Sequence, residues 1–264
     1  MTKRHDKFVQ PIDGIVVVSR AAGPGVHRGN SGRTIRSTES APELTNRERA
    51  FIVAKIRPIF DDTTRRFDNK KYSPESYAEV LTEFERPTRV SPGTLRSALL
   101  WKYGHLGKRG QIPVAHRNLI AEVQRAWPHL ARDLGQAPDQ TFTVIERRVG
   151  GPTRFITVAF LLHLIHPRRI PIIDQHNFRA VNSFISDVRP TWQAKRKPSG
   201  WSDIMLVASF MEAVISTWRQ QEPSSIPTPR QLDQFLMRYG KDLKARHNNR
   251  LQPSAAGAIM GRRG

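Results

Sequence analysis

Apolar residues recur three and four positions apart through most of the chain between residues 43 and 251. This is the spacing of amphipathic α-helices, each with one buried face. We find no internal repeat in this region and no strand-rich stretch of alternating apolar and polar residues. The pattern therefore predicts an all-α fold, with a single helical domain over residues 43–251.

Several helix starts are indicated by the local sequence. Thr45 precedes Glu48 by three residues, which is the spacing of a capping box. Three hydroxyl residues are each followed by a proline that suits the first position of a helix: Ser73-Pro74, Ser91-Pro92 and Thr228-Pro229. Further helices are predicted from Pro113 and from Ser202.

Residues 1–42 differ from the rest of the chain in composition. They mix Gly, Ser, Arg and Pro, and their apolar patch at residues 15–18 is too short to build a core. We interpret them as a flexible basic arm. Residues 252–264 have a similar composition and are interpreted as a flexible basic tail, and residues 104–110 as a basic, glycine-rich connector.

The segment from residue 141 to residue 187 predicts a hairpin of two helices followed by a third helix. One helix ends at Val149, Gly150-Gly151-Pro152 interrupts the pattern, and a second helix runs from Thr153 to about His166. That second helix has almost no polar side, so we expect it at the centre of the protein. After a short connector, the third helix starts from Asp174.

The chain is strongly basic. It has 43 Lys and Arg residues against 23 Asp and Glu residues, for a formal net charge of +20, which favours a polyanionic partner. The basic residues are spread over helices and loops rather than along one amphipathic helix, so nucleic acid is favoured over a membrane surface. The sequence has no apolar run of about eighteen residues and no secretory signal at its start. We therefore expect an intracellular, cytoplasmic protein.

Cysteine is absent, which excludes disulfides, thiol nucleophiles, cysteine-based zinc sites and iron–sulfur clusters. His163, His166 and His176 suggest a metal site at first sight, but the acidic residue near them in sequence is Asp174 alone. We interpret these histidines as structural, and we expect neither a metal nor a cofactor.

The turn of the predicted hairpin, Gly150-Gly151-Pro152-Thr153, is a candidate phosphate-binding site. A helix N-terminus offers free backbone amides and a favourable dipole to an anion, and Arg147, Arg148 and Arg154 add positive charge. The alternative is that the glycine ends one helix and the proline begins the next, without any ligand.

The sequence Ile170-Pro171-Ile172-Ile173-Asp174-Gln175-His176 brings one carboxylate to the start of a helix. The order of hairpin, buried helix, apolar connector and aspartate over residues 149–181 resembles the helix-hairpin-helix (HhH-GPD) DNA glycosylase superfamily. The superfamily's aspartate follows a proline and one or two apolar residues and precedes a His or Asn. The resemblance implies a glycosylase-like helical fold and places Asp174 at the catalytic position. The alternative is that Asp174 only caps the helix, accepting from the amide of His176 or Asn177.

Two features differ from the pattern of this superfamily. Its turn has glycines separated by one residue, whereas Gly150 and Gly151 are adjacent. Strand-cleaving members carry a lysine early in the second hairpin helix, where this chain has Arg154, which cannot act as an amine nucleophile. The resemblance therefore implies a monofunctional glycosylase that hydrolyses the N-glycosidic bond of a damaged or modified base everted from duplex DNA. A modified phage base, and with it a role in antiviral defence rather than DNA repair, stays open.

The alternative function is a non-catalytic DNA-binding protein of the same fold, and an RNA-binding factor is less favoured because no RNA-binding motif occurs. We expect a monomer that binds double-stranded DNA. The candidates for the base pocket are Trp101, Tyr103, His105, Gln175 and His176, with a core position for Trp101 equally favoured. The candidates for DNA binding are Lys102, Lys108, Arg109, Arg148, Gly150, Gly151, Thr153 and Arg154.

Overall fold

A computed structural model describes residues 43–106, 112–151 and 153–251, with side chains as far as residue 248. The helices are α1 Asn46–Ile56, α2 Phe60–Arg65, α3 Pro74–Phe84, α4 Pro92–Lys102, α5 Val114–Leu130, α6 Pro138–Val149, α7 Phe155–Ile165, α8 Gln175–Val188, α9 Trp201–Gln221 and α10 Pro229–Leu251. No strand occurs in these three ranges, which confirms the all-α prediction for them. None of these helices is long and apolar enough to cross a membrane. The predicted arm and tail, and the candidates Lys108 and Arg109, lie outside the described ranges.

The helix starts follow the local sequence signals. Thr45 caps α1 by accepting from the backbone amide of Glu48 at 3.3 Å, and the Glu48 carboxylate accepts from the Thr45 amide at 2.7 Å. Ser73 and Ser91 cap α3 and α4 through the amides three residues further on, at 3.2 and 3.0 Å. The second hairpin helix, α7, begins at Phe155 rather than at the predicted Thr153, because residues 153–154 form a turn.

The apolar helix α7 lies at the centre of the fold, as its sequence predicts. Every residue from Thr157 to Leu164 is buried. Helices α3 and α6 pack against α7, and α8 packs against α1, α9 and α10. The buried apolar residues of these helices belong to one continuous core. The hairpin of α6 and α7 is thus anchored in the centre of the protein.

Helices α8 and α10 approach each other closely at Gly240. A Cβ atom at this position would overlap the carbonyl oxygen of His176 in the first turn of α8, so the contact requires a glycine. The approach brings Asp233 of α10 within hydrogen-bond distance of Asn177, and places Lys241 where its charge interacts with Asp174. The start of α8 is therefore surrounded by side chains from α10.

Candidate functional site

Asp174 is the N-cap of α8. Its Oδ1 atom accepts from the backbone amides of His176 at 2.6 Å and of Asn177 at 2.9 Å, while Asn177 Oδ1 accepts from the Asp174 amide at 2.8 Å. The cap at the start of α8 is therefore present as predicted, which by itself does not decide whether Asp174 has a second role. Both amides donate to the same oxygen, and no other described residue donates a hydrogen bond to Oδ2. Capping thus occupies one carboxylate oxygen and leaves the second for another role.

The connector before Asp174 is held rigidly by buried groups. Ile170, Ile172 and Ile173 belong to the core. The Asn177 amide donates to the carbonyl oxygen of Ile172 and, at 3.1 Å, to a carboxylate oxygen of Asp233. Because these bonds lie on both sides of Asp174 in sequence, the position of its carboxylate is fixed by folding.

A small cavity lies beside Asp174, with a volume of about 20 Å³. A buried water molecule needs at least about 10–15 Å³ of such space, so the cavity fits a single water molecule and is too small for a nucleobase. Its lining also includes Phe67, Tyr72, Trp101, Lys102, Ile172, Arg230, Asp233 and Met237. A larger cavity of about 550 Å³ lies between residues 167–171 and α9, and Asp174 does not line it.

Lys102 is buried at the wall of the small cavity. Its ammonium group donates to the carbonyl oxygen of Ile173 at 3.0 Å and lies 5.5 Å from the centroid of the Phe160 ring. Burial lowers the pKa of Lys102, while the negative charges of Asp174 and Asp233 oppose that shift. The expectation that Lys102 contacts the DNA backbone is therefore corrected, because its charge points into the protein, next to the candidate carboxylate.

A second carboxylate, Asp233 of α10, also lines the cavity and was missed by the sequence reasoning. It is 4% exposed, and its Oδ2 atom accepts from Arg230 at 2.6 Å. The Arg230 guanidinium lies over the rings of Tyr77 and Trp101, 4.9 and 5.4 Å from their centroids. Burial raises the pKa of Asp233, and the charge of Arg230 works against this shift. In the sequence, the site role of Asp233 and Arg230 is indicated only by their position as charged residues next to the apolar stripe of α10.

The five base-pocket candidates divide into two groups. Trp101 is 3% exposed, and its indole nitrogen donates to the Ser73 carbonyl oxygen at 3.0 Å, so it is a core residue whose edge lines the cavity. Gln175 is exposed and His176 half-buried, both directly after Asp174. Tyr103 and His105 lie elsewhere, with a histidine of α5: the ring centroids of Tyr103 and His116 are 4.3 Å apart, and His105 Nε2 is 3.2 Å from His116 Nδ1.

The protonation of His176 follows from its neighbour. Arg179 can only donate, and its Nη1 atom lies 3.2 Å from His176 Nδ1, so Nδ1 accepts and the ring proton of the neutral form is on Nε2. Burial lowers the pKa of His176, although the charge of Asp174 opposes the shift. A neutral imidazole beside Asp174 can therefore donate one hydrogen bond through Nε2.

The hairpin turn has the close backbone approach that two adjacent glycines allow. The Gly150 amide donates to the Glu146 carbonyl oxygen at 2.8 Å, and a Cβ atom at Gly150 would overlap that oxygen. Gly151 and Thr153 are exposed. Arg154 forms an ion pair with Glu122, and Arg148 pairs with Asp133 at 2.9 Å. Both arginines are thus at the surface near the turn, each next to a carboxylate.

His163 and His166 both contact hydrogen-bonding groups of the protein, His163 in the core and His166 in a half-buried position. His163 Nδ1 donates to the carbonyl oxygen of Ile170 at 2.6 Å, so Nε2 accepts from the Tyr77 hydroxyl, also at 2.6 Å. Burial lowers the pKa of His163 to about 4. His166 Nε2 lies 2.9 Å from the Thr141 hydroxyl oxygen. These contacts agree with the structural role predicted for both residues, and the described residues contain no cluster of acidic and histidine side chains that could hold a metal ion.

No protein-family model, no curated protein and no solved structure matches this chain.

Proposed function

We propose that the chain is a DNA glycosylase that hydrolyses the N-glycosidic bond of a base everted from duplex DNA, with Asp174 as the carboxylate that acts on the sugar. One observation carries the proposal: Asp174 has one oxygen fixed by two amides and a second oxygen left available, beside a cavity that fits a water molecule. Hydrolysis of a glycosidic bond requires at least a positioned carboxylate and a water molecule next to it.

The chemistry follows from the charge that develops in the reaction. As the bond to the base breaks, positive charge builds on the sugar, and a carboxylate close to it stabilises that charge. The same carboxylate orients a water molecule or accepts its proton as the water attacks the sugar carbon. The net charge of +20 supplies the attraction for the DNA backbone that brings the substrate to this site.

A cavity of about 20 Å³ requires movement of its walls before a base can reach Asp174. Its outer wall is formed in part by Phe67 and Tyr72, which lie in the irregular segment between α2 and α3. Segments outside regular helices open more easily than packed helices. We infer that this segment moves outward when a nucleotide is everted, whereas Asp174, held by the start of α8, stays in place.

Asp174→Asn tests the proposal, because asparagine caps a helix about as well as aspartate and keeps the fold intact. Duplexes that contain uracil, 8-oxoguanine, alkylated or hypermodified bases are incubated with each protein, and release of the free base is measured. We expect a fall in rate of about 100-fold or more in the variant. Asp187→Asn, at the exposed far end of the same helix, is the matched control and should release base at the wild-type rate.

Equal release by wild type and Asp174→Asn would overturn the role of Asp174. Tight DNA binding without release from any duplex would favour the alternative, a non-catalytic DNA-binding protein in which Asp174 only caps α8. The two functions are therefore separated by one set of measurements.

The nucleophile is tested separately, because Lys102 also lines the cavity. We propose water as the nucleophile, since the Lys102 amine is held by the Ile173 carbonyl oxygen at 3.0 Å. Borohydride reduces an imine between a lysine and the sugar to a stable protein–DNA adduct. We expect no adduct with the wild-type protein. An adduct that forms with the wild type and is absent with Lys102→Met would show that Lys102, rather than water, is the nucleophile.

A further inference from the structure

Two lysines lie against one aromatic ring at the outer side of the cavity. The ammonium nitrogens of Lys71 and Lys241 are 5.4 and 5.6 Å from the centroid of the Tyr72 ring. Tyr72 itself is buried and lines the cavity together with Asp174. Both lysines are partly exposed, so their charges lie where the wall of the cavity meets solvent.

These two positive charges are close together without a direct acidic partner. Burial lowers the pKa of Lys241, and the charges of Lys71 and Arg238 lower it further, while Asp174 and Asp68 work in the opposite direction. Within the described ranges neither lysine takes part in a salt bridge; Arg238, by contrast, pairs with Asp242 at 2.9 Å. Bringing like charges together is unfavourable, and an anion bound between them relieves the repulsion.

A chain of contacts through the end of α4 links the lysine pair to the hairpin. The side chain of Lys71 packs over Gly104, whose φ of +66° and lack of a Cβ atom make room for it. The residue before it, Tyr103, bonds through its hydroxyl to the Thr157 hydroxyl at 2.8 Å, in the first turn of α7. The hairpin turn and the lysine pair are thus connected through the end of α4.

The positive charge also continues along α8 and α10. The charges of Lys241, Arg179 and Lys244 all lower the pKa of His176. These side chains therefore lie near the residue that follows Gln175 and Asp174. We use the term cationic strip for Lys71, Lys241, Arg179 and Lys244, which lie around Tyr72 and His176.

We propose that Lys71 and Lys241 bind backbone phosphates of the DNA strand that carries the everted nucleotide, and so position that nucleotide over Asp174. The inference rests on the proposed function, and assigns to it a DNA-contacting surface distinct from the hairpin. Ammonium groups suit phosphates as compact point charges. A membrane-binding surface would place exposed apolar side chains beside its cations. Within the described ranges the exposed large apolar residues are Phe51, Ile59 and Val114, and none of them is on α8, on α10 or between α2 and α3, where the strip residues are.

The double variant Lys71→Gln/Lys241→Gln tests this surface with an undamaged fluorescent duplex, whose binding is followed by anisotropy at several salt concentrations. The slope of log affinity against log salt is negative, and each lost phosphate contact reduces its magnitude by about 1. We therefore expect a slope whose magnitude is smaller by about 2, and an affinity roughly tenfold or more lower. Lys71→Arg/Lys241→Arg, which keeps both charges, should bind like the wild type.

Arg196→Gln/Lys197→Gln is the matched control, because it removes two exposed charges from the loop before α9. We expect its salt slope to stay close to that of the wild type. An equal loss in both glutamine doubles would overturn the proposal, since the effect would then come from net charge alone. Normal binding of the duplex together with lost binding to vesicles of anionic lipid would reassign the strip to a membrane.

The binding test and the base-release test fail independently. If Lys71→Gln/Lys241→Gln weakens binding but the wild type releases no base, the phosphate surface stands and the glycosylase proposal falls. If Asp174→Asn abolishes base release but the lysine double binds normally, the glycosylase stands and the phosphate surface falls.

Discussion

The small cavity has two unlike sides, each with one carboxylate. On the α10 side, Asp233 is buried and both of its oxygens accept hydrogen bonds, from Asn177 and Arg230. On the α8 side, Asp174 is partly exposed and accepts amide bonds through one oxygen only. A carboxylate with both oxygens occupied holds structure together, whereas one with an oxygen left over can act on a ligand.

The largest expected difference between the two sides is in stability. Asp233→Ala removes one partner of a buried ion pair and leaves the Arg230 guanidinium without its acceptor, so we expect a loss of about 4 kcal/mol in the free energy of unfolding. Asp174→Ala removes a helix cap and should cost about 1 kcal/mol. Chemical denaturation of both variants measures the two losses. Equal losses would mean that the two carboxylates play the same structural part.

The next effect is the loss of folding stability in acid, which we assign to the buried residue His163. The pKa of His163 falls from 6.5 in the unfolded chain to about 4 in the fold, so folding favours the neutral ring. Its contribution is fully present above pH 6.5 and is lost as the pH falls towards 4. The shift corresponds to about 3 kcal/mol. We expect the free energy of unfolding of the wild type to be lower at the acid end of this window, with His163 contributing about 3 kcal/mol of the difference.

His163→Gln provides the comparison for the acid effect. The variant lacks the titrating ring, so its free energy of unfolding should depend much less on pH over the same window, whatever its absolute stability. An unchanged dependence in His163→Gln would place the acid-sensitive group elsewhere.

A smaller loss of stability is expected from a substitution at Gly240, where α10 contacts the start of α8. In Gly240→Ala the added methyl group overlaps the carbonyl oxygen of His176, and relief of this overlap moves α10 away from the start of α8. We expect a loss of about 2 kcal/mol, together with a lower rate of base release, because the wall opposite Asp174 shifts. Gly93→Ala in α4, which meets its nearest neighbour at an ordinary 3.5 Å, should be neutral or slightly stabilising.

Local features of the fold could be predicted from the sequence. Thr45, Ser73 and Ser91 cap helices as their spacing indicates, and α7 is buried as its apolar sequence requires. Asp174 caps α8 through the amides of His176 and Asn177. Each of these features depends on residues a few positions apart, and short-range hydrogen bonds and periodicity are what a sequence shows directly.

The surroundings of Asp174 could not be predicted in the same way. Arg230 lies over Trp101, and Asn177 bonds to Asp233, across separations in sequence that no local pattern reveals. Lys102 is a DNA-binding candidate by its position at a helix end before the basic connector of residues 104–110, yet its ammonium group donates to a carbonyl oxygen of the segment before Asp174. Tertiary contacts decide which charges face solvent, so the cationic strip emerged from the structure alone.

The capping of α8 by Asp174 has a consequence for the energetics of the proposed reaction. Because Oδ1 of Asp174 is held by the backbone of α8, the direction of the second oxygen is set when the chain folds, before any DNA arrives. A preorganised charge needs no reorientation when the transition state forms, and this saves the free energy that water would spend in turning its dipoles. In the proposed hydrolysis, the start of α8 thus holds this carboxylate oxygen in a fixed direction relative to the sugar.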